Sequence, residues 1–233
     1  MSGGSELPQG EAKVRAVEAM FDAIAPRYDL LNRILTFGMD VGWRKRAVRS
    51  LELPPGSTVL DLACGTGDLC RELQARGHLA VGVDRSAGML AAARTGAPLV
   101  RGDCLAMSFP DAAVDGVVCG FALRNFESLG PFFAECARVL RPGGRMALLE
   151  VATPANPILA LGHRMYFGRV VPIVGGLLSD RDAYRYLPKS VAYLPPPPEI
   201  LDMLRAAGFT DVRRRALSTG ISQLLTATRA EPS

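Results

Sequence analysis

The 233-residue chain holds no CxxC pair and no cluster of cysteine with histidine, and its cysteines number five. An odd count without such spacing argues against a disulfide scaffold and a structural zinc site, and no metal is expected. Cys64, Cys104 and Cys119 sit in or beside apolar runs, where free cysteine packs as a small hydrophobe, so a reducing compartment is expected. The opening MSGGSELPQG has neither the basic nor the apolar stretch of a signal peptide and reads as a disordered lead. Long apolar runs are missing too. The most apolar segment, 155–178, is broken by His163, Arg164, Arg169, Pro172, Gly175 and Gly176, whereas a spanning helix needs about 20 predominantly apolar residues. A cytoplasmic protein is expected, with 155–178 suited to peripheral contact with a membrane surface. Net charge is only +4, and the basic runs, WRKR from Trp43 and RRR at 213–215, read as solvated faces. Nucleic acid is therefore not an expected partner. Whether the chain is a monomer or a homodimer is not written in these residues.

What is present is enough apolar residue, 48%, to bury one sizeable core. No internal repeat appears. Apolar residues at helical spacing predict a helix over 11–25, stopped by Pro26, then two short helices before Leu51. After the Pro54–Pro55–Gly56 break the signals alternate. Strands are predicted at 58–63, 79–84, 98–103, 114–121 and 145–151, and helices at 68–77, 87–94 and 129–141. Strands that are apolar on both faces, separated by helices, argue for a doubly wound α/β parallel sheet. The ending differs: a helix within 195–209, then two strand-like runs within 210–229 joined at 218–220. So short a joint permits only antiparallel pairing, giving a mostly parallel seven-stranded sheet with one antiparallel strand near its edge.

In such a sheet, ligands bind beyond the carboxyl ends of the strands, where strand order reverses. VLDLACGTGDL, from Val59 to Leu69, puts a side-chain-free bend there. Gly65 and Gly67 allow a tight turn and close approach of a ligand, with Thr66 between them. Asp84 ends the second strand, the place for a carboxylate that grips a ribose diol. Asp103 follows the third strand and could accept from an adenine amino group, with Cys104 and Met89 as apolar walls. A dinucleotide fingerprint would need a third glycine where Cys70 stands, and Asp68 at the helix start would repel a pyrophosphate. S-adenosyl-L-methionine, which carries no phosphate, fits better. Its ammonium suits carboxylate and carbonyl groups near Asp61, and Ala63 and Arg85 complete the expected cofactor set. Each aspartate alone could equally be a helix cap or turn former; three at successive strand ends point to a ligand.

MFDAIAPRYDLLNRILTFGMD (20–40), SFPDAAVD (108–115), GFALRNF (120–126), ARVLRPGGRMALLEV (137–151) and DAYRYLPKSV (182–191) together resemble the ubiquinone/menaquinone biosynthesis C-methyltransferase family, within the class I S-adenosylmethionine-dependent methyltransferases. The resemblance spans about residues 17–216 and departs from the family at LPPPPE (194–199) and TGISQLLTATR (219–229). It implies methyl transfer to a ring carbon of a prenylated quinol precursor such as demethylmenaquinol, releasing S-adenosyl-L-homocysteine. Arg124 and Asn125 are the expected catalytic pair, orienting the acceptor oxygen, with Tyr184 beside them. Tyr28, Asp29 and Asn32 are expected to close over the cofactor and Tyr186 to bond the acceptor. Phe121, Phe37 and Trp43 would flank the sulfonium or the ring. His163 is expected at the acceptor and is a candidate base, although an apolar helix can equally hold a structural histidine. The layout expected is a lead (1–10) and one domain (11–233): helical cap 11–53, cofactor core 54–151, acceptor-pocket cover 152–195, last helix and strand pair 196–233. A methyltransferase of carbon or oxygen in a soluble aromatic natural product, and a non-enzymatic nucleotide-binding module, remain the rival readings.

Overall fold

The computed structural model describes residues 10–178 and 190–231. Helix α1 (Gly10–Ile24) leads through a single turn at Ala25–Arg27 into α2 (Tyr28–Leu35), and Gly38 at φ +73° starts α3 (Met39–Arg49). Strands β1 (Thr58–Leu62), β2 (Leu79–Asp84), β3 (Leu99–Arg101), β4 (Val114–Gly120) and β5 (Leu140–Val151) follow, with α4 (Asp68–Gln74), α5 (Ala87–Ala91) and α6 (Leu129–Val139) between them. Then come α7 (Pro157–Met165), a wider turn (Tyr166–Val170), α8 (Val171–Leu178), α9 (Pro197–Ala206), β6 (Phe209–Leu217) and β7 (Ser222–Arg229).

The sheet order is β3-β2-β1-β4-β5-β7-β6. Pairings among β1–β5 are parallel, while β7 runs antiparallel to both β5 and β6. Alternate residues of each strand serve opposite faces. Leu60, Leu62, Val117 and Leu148 pack on one side with Phe132 and Phe133 of α6, while Val59, Val118, Ala147 and Leu149 pack on the other with Trp43 and Leu73. Each fully buried valine, leucine and phenylalanine among them contributes about 1.5–3 kcal/mol by leaving water.

Several boundaries differ from the sequence reading, most clearly at three helix ends. Helix α6 ends at Val139 rather than Arg141, because Leu140 already pairs with Val114. The register then jumps to Gly116 with Arg145, so RPGG forms a bulge inside β5, with Gly143 at φ +74°. Helix α5 stops at Ala91, three residues early, because the chain is pulled back to the elbow after β1: Arg94 N donates to Thr66 O at 3.1 Å. Helix α4 likewise ends at Gln74, and Gly77 adopts φ +77° beyond it. The five cysteines are unpaired and buried. Among the described residues no helix is long and apolar enough to cross a membrane, and no group of His, Cys, Asp and Glu could hold a metal ion.

Candidate active site

Strand order reverses between β1 and β4. Each strand is followed directly by a non-glycine residue with left-handed backbone, Ala63 at φ +53° and Phe121 at φ +61°. Such strain costs on the order of 1–3 kcal/mol and persists only where the surroundings impose it. Here both residues line one cavity of about 790 Å³, counting its mouth, at the carboxyl ends of the strands.

The polar groups of this first cavity come from strand ends and the turns after them. Asp84 accepts from the amides of Gly65 and Ser86, both at 2.8 Å, and burial raises its pKa. Asp103 accepts from Leu105 N at 2.9 Å and pairs with Arg85 at 3.0 Å, at the rim with Glu18. Met89 and Cys104 are apolar walls, and burial pushes the Cys104 thiol up to about 12. Ser86 caps α5, its Oγ accepting from Met89 N at 3.0 Å. Asn125 lines the cavity too, and its Oδ1 is buried without a hydrogen-bond partner.

A second cavity, about 1410 Å³ with its mouth, lies between α2, α3 and the α7–α8 segment. Tyr28 and Phe121 line both cavities and form the wall between them. The Tyr28 phenol bonds Asn32, and burial raises its pKa. Arg124 enters the second cavity from the turn Leu123–Asn125. It is buried and held: Nη1 pairs with Glu150 and donates to Phe121 O at 2.9 Å, and Nε donates to Ser190 Oγ at 3.1 Å. Glu150 also accepts from Arg124 N at 3.3 Å and Val151 N at 2.8 Å. Trp43 packs 6.1 Å from Phe121 and donates from Nε1 to Ser218 Oγ at 2.8 Å. Phe37, 76% exposed, sits at the mouth against Tyr166. His163 lines the same cavity, its ring 4.4 Å from Phe167.

The structure thus brings Ala63, Gly65, Asp84, Arg85, Met89, Asp103, Cys104, Phe121 and Tyr28 to the first cavity, and Asn32, Phe37, Trp43, Arg124 and His163 to the second. Asn125, read from sequence beside Arg124 at the acceptor, faces the first cavity instead. Three expected cofactor residues do not line either cavity. Thr66 turns away to bond Asp29. Gly67 backs onto Thr95, where a Cβ would lie 2.7 Å from Cγ2, so this glycine serves packing and its φ of +81° rather than a ligand. Asp61 lies beneath the elbow, accepting from Cys70 N at 3.1 Å, with Oδ1 unpartnered; burial raises its pKa to about 7. Asp29 ties α2 to Thr66 and Arg71 rather than closing a pocket. Asp68 pairs with Arg33, Arg44 and Arg71, so its charge is neutralised and repulsion of a pyrophosphate is not its role. Tyr184 and Tyr186 lie outside the described residues.

Several contributors went unread in the sequence. Val14, Val17, Glu18 and Phe21 of α1 wall the first cavity, and Lys13 anchors that helix by donating to Phe126 O at 2.6 Å. Asp22 accepts from Gly88 N at 2.9 Å and so joins α1 to α5. Glu150 holds Arg124. The one available signal for Glu150 was an acid inside the apolar run ALLEV, since a buried charge needs a partner.

The comparisons with known proteins agree with this geometry. The model of the ubiE/COQ5 methyltransferase family matches residues 9–229. The chain belongs to that family. It is 46% identical over 216 residues to the demethylmenaquinone methyltransferase of Thermus thermophilus, covering 88% of this chain and 97% of that one. It is 42% identical to the ubiquinone/menaquinone biosynthesis C-methyltransferase UbiE of Syntrophotalea carbinolica, covering 91% and 94%. The fold is shared with a SAM-dependent methyltransferase of Thermotoga maritima, at a TM-score of 0.67 and 17% identity over 91% of this chain and 98% of that one. As a ubiE/COQ5 family member the protein is a methyltransferase, and two cavities sharing one wall suit a donor and an acceptor.

Proposed function

We propose that this methyltransferase moves a methyl group from S-adenosyl-L-methionine to a ring carbon of a prenylated quinol, of the demethylmenaquinol type, leaving S-adenosyl-L-homocysteine. One observation carries the reading. A cavity at the strand ends carrying Asp84 and Asp103, and a larger apolar cavity holding Arg124, meet at Tyr28 and Phe121. The residues of the first cavity fit the donor. Asp84 offers a carboxylate, the buried Asn125 Oδ1 has no protein partner, and a Cβ on Gly65 would meet nothing closer than Met89 Sδ at 3.9 Å. Asp84 would hold the ribose, Asp103 and Arg85 the adenine end, and Asn125 a donor group of the amino-acid end. When bound, the sulfonium supplies an electrophilic methyl group.

The chain's own contribution is alignment and charge. Positioning two reactants in a shared site can supply about 7–11 kcal/mol of a bimolecular barrier. A quinol carbon grows more nucleophilic as its hydroxyl loses proton character, and a fixed cation stabilises the oxyanion character that develops. Arg124, already oriented by Glu150 and Ser190, is such a cation; a guanidinium stays protonated in proteins and so does not serve as a base. Glu150 is the positioning residue behind it. Phe121 and Trp43 offer ring faces toward the reacting groups.

The cavity mouth supports a greasy acceptor. Phe37 and Ile158, which line the second cavity, are exposed apolar side chains, as are Leu30 and Ile34 of α2 and Met165 and Ile173 of the α7–α8 segment. An apolar rim of this kind favours peripheral contact with a bilayer, from which a prenylated quinol would enter. Liposome flotation with and without quinol tests the contact; no association in either case removes it. Incubation with labelled S-adenosylmethionine and demethylmenaquinol, against a panel of small phenols, tests the function. Label in the quinol ring is expected. Label only in soluble phenols would transfer the assignment to a natural-product methyltransferase.

A further inference from the structure

We propose that His163 is the proton acceptor of the methyl transfer. The inference rests on the reading above, because replacing a ring hydrogen by methyl releases one proton. The ring carbon bonds the methyl carbon as the methyl–sulfur bond breaks, and that bond's electron pair stays on sulfur. The proton then leaves the acceptor for the His163 imidazole, and the imidazolium returns it to solvent before the next turnover.

The placement is local chemistry made by the fold. Asn156 caps α7, its Oδ1 accepting from Ile158 N at 2.9 Å and Leu159 N at 3.3 Å. The helix then presents Leu159, Gly162 and His163 to the second cavity. Helical spacing sets the imidazole against Phe167, four residues on, with ring centres 4.4 Å apart. Its Nε2 is buried and bonds nothing. A buried imidazole nitrogen without a partner forfeits a hydrogen bond, so packing on Phe167 rather than a polar contact holds the ring.

The other titratable groups of this cavity are engaged or unsuited. Asp40 is held by Arg44, by Arg33 at 3.4 Å and by Thr36 Oγ1 at 2.8 Å. The Tyr28 and Tyr166 phenols are raised by burial, so they hold their protons. Arg44 and Arg124 are cations paired with Asp40 and Glu150, and Arg164 is the charged neighbour on α7 itself. Burial lowers the His163 pKa, which keeps the imidazole neutral and so able to accept a proton at pH 7. Among the described residues of this cavity, His163 is the neutral base not engaged by an ion pair or a hydrogen bond at Nε2.

Two variants test the proposal. His163→Gln keeps polarity without basicity, and His163→Phe keeps the ring packing on Phe167. Both are expected to lower kcat by about 10²-fold, at the low end of general-base effects, with affinity for S-adenosylhomocysteine unchanged. Wild-type kcat should fall on acidification below the ordinary imidazole pKa of about 6.5, and this limb should vanish in His163→Gln. The His163 ring signal in NMR should titrate below that value and shift when a tailless quinol binds. Turnover within about threefold of wild type in either variant, or an acidic limb that survives in His163→Gln, would overturn the assignment. Should the wild type methylate soluble phenols alone, the quinol reading fails while the variants still test His163 on those phenols.

Discussion

The first cavity's carboxylates are fixed largely by backbone amides of the turns at the strand ends, whereas the second cavity's polar groups are fixed by side chains, Arg124 by Glu150 and others on helices packed over the sheet. Asp84 is held by two amides of turns that the sheet sets in place. Arg124 is held by Glu150 and Ser190, 26 and 66 residues away. Backbone-held sites are rigid by construction and suit a ligand of constant shape. A site built from packed helices can vary in shape, and its apolar rim suits a long, variable tail. The difference teaches where damage will show: changes at strand ends should alter donor affinity, and changes on the cover should alter turnover and acceptor choice.

Arg124→Ala should break that division most visibly. Turnover is expected to fall about 10²–10³-fold, the usual loss on removing one oxyanion donor, with S-adenosylhomocysteine affinity retained in calorimetry. The same change leaves Glu150 buried without its cation, so thermal stability should drop by about 3–5 kcal/mol. Arg124→Ala combined with Glu150→Gln should recover part of the stability and none of the turnover. Asp84→Ala should act in the other cavity. It removes an acceptor worth about 1.5–3 kcal/mol for each charge-assisted bond to a ligand and should weaken S-adenosylhomocysteine binding about 10²-fold. Asn125→Ala should follow Asp84 in moving donor affinity, by about tenfold, with less effect on the acceptor KM; an effect confined to the acceptor would return Asn125 to the second cavity.

A smaller effect separates the two glycines of the elbow. Gly67→Ala should cost about 1–3 kcal/mol of stability, since its Cβ would meet Thr95 at 2.7 Å and its backbone is left-handed. Gly65→Ala meets nothing within 3.4 Å and should cost nearer 1 kcal/mol while narrowing the first cavity, so its main loss is donor affinity. Differential scanning calorimetry and titration together distinguish them. A pH-dependent effect concerns Asp61, whose folded pKa is raised from 3.8 to about 7. Between those values the folded state binds the extra proton, so stability falls as pH rises through that window and is lowest above it. Asp61→Asn should flatten the melting temperature between pH 5 and pH 8, where wild type declines.

Much of this was legible before any coordinates. The elbow at Gly65, the carboxylates ending β2 and following β3, and the antiparallel pair at the end all follow from local pattern, because strand periodicity and turn chemistry are written in adjacent residues. Which side of the elbow each residue faces was not legible. Thr66, Gly67 and Asp61 sit among true cavity residues in sequence, yet turn toward Asp29, Thr95 and Cys70. Arg124 and Asn125 are neighbours in one turn and serve different cavities, since consecutive side chains of a tight turn diverge. Nor did any local signal show that α1 walls the first cavity or that Glu150 holds Arg124, contacts made across more than 20 residues.

By itself the sequence determined the order of elements, the class of sheet and the stretch of chain that meets a ligand, because hydrophobic periodicity and glycine placement act over a few residues. Only the tertiary structure decided that two cavities share the wall of Tyr28 and Phe121, that Asn125 belongs to one and Arg124 to the other, and that His163 keeps a buried nitrogen unpaired. Those outcomes depend on which distant surfaces pack together, and burial, pairing and pKa are properties of that packing rather than of any residue alone.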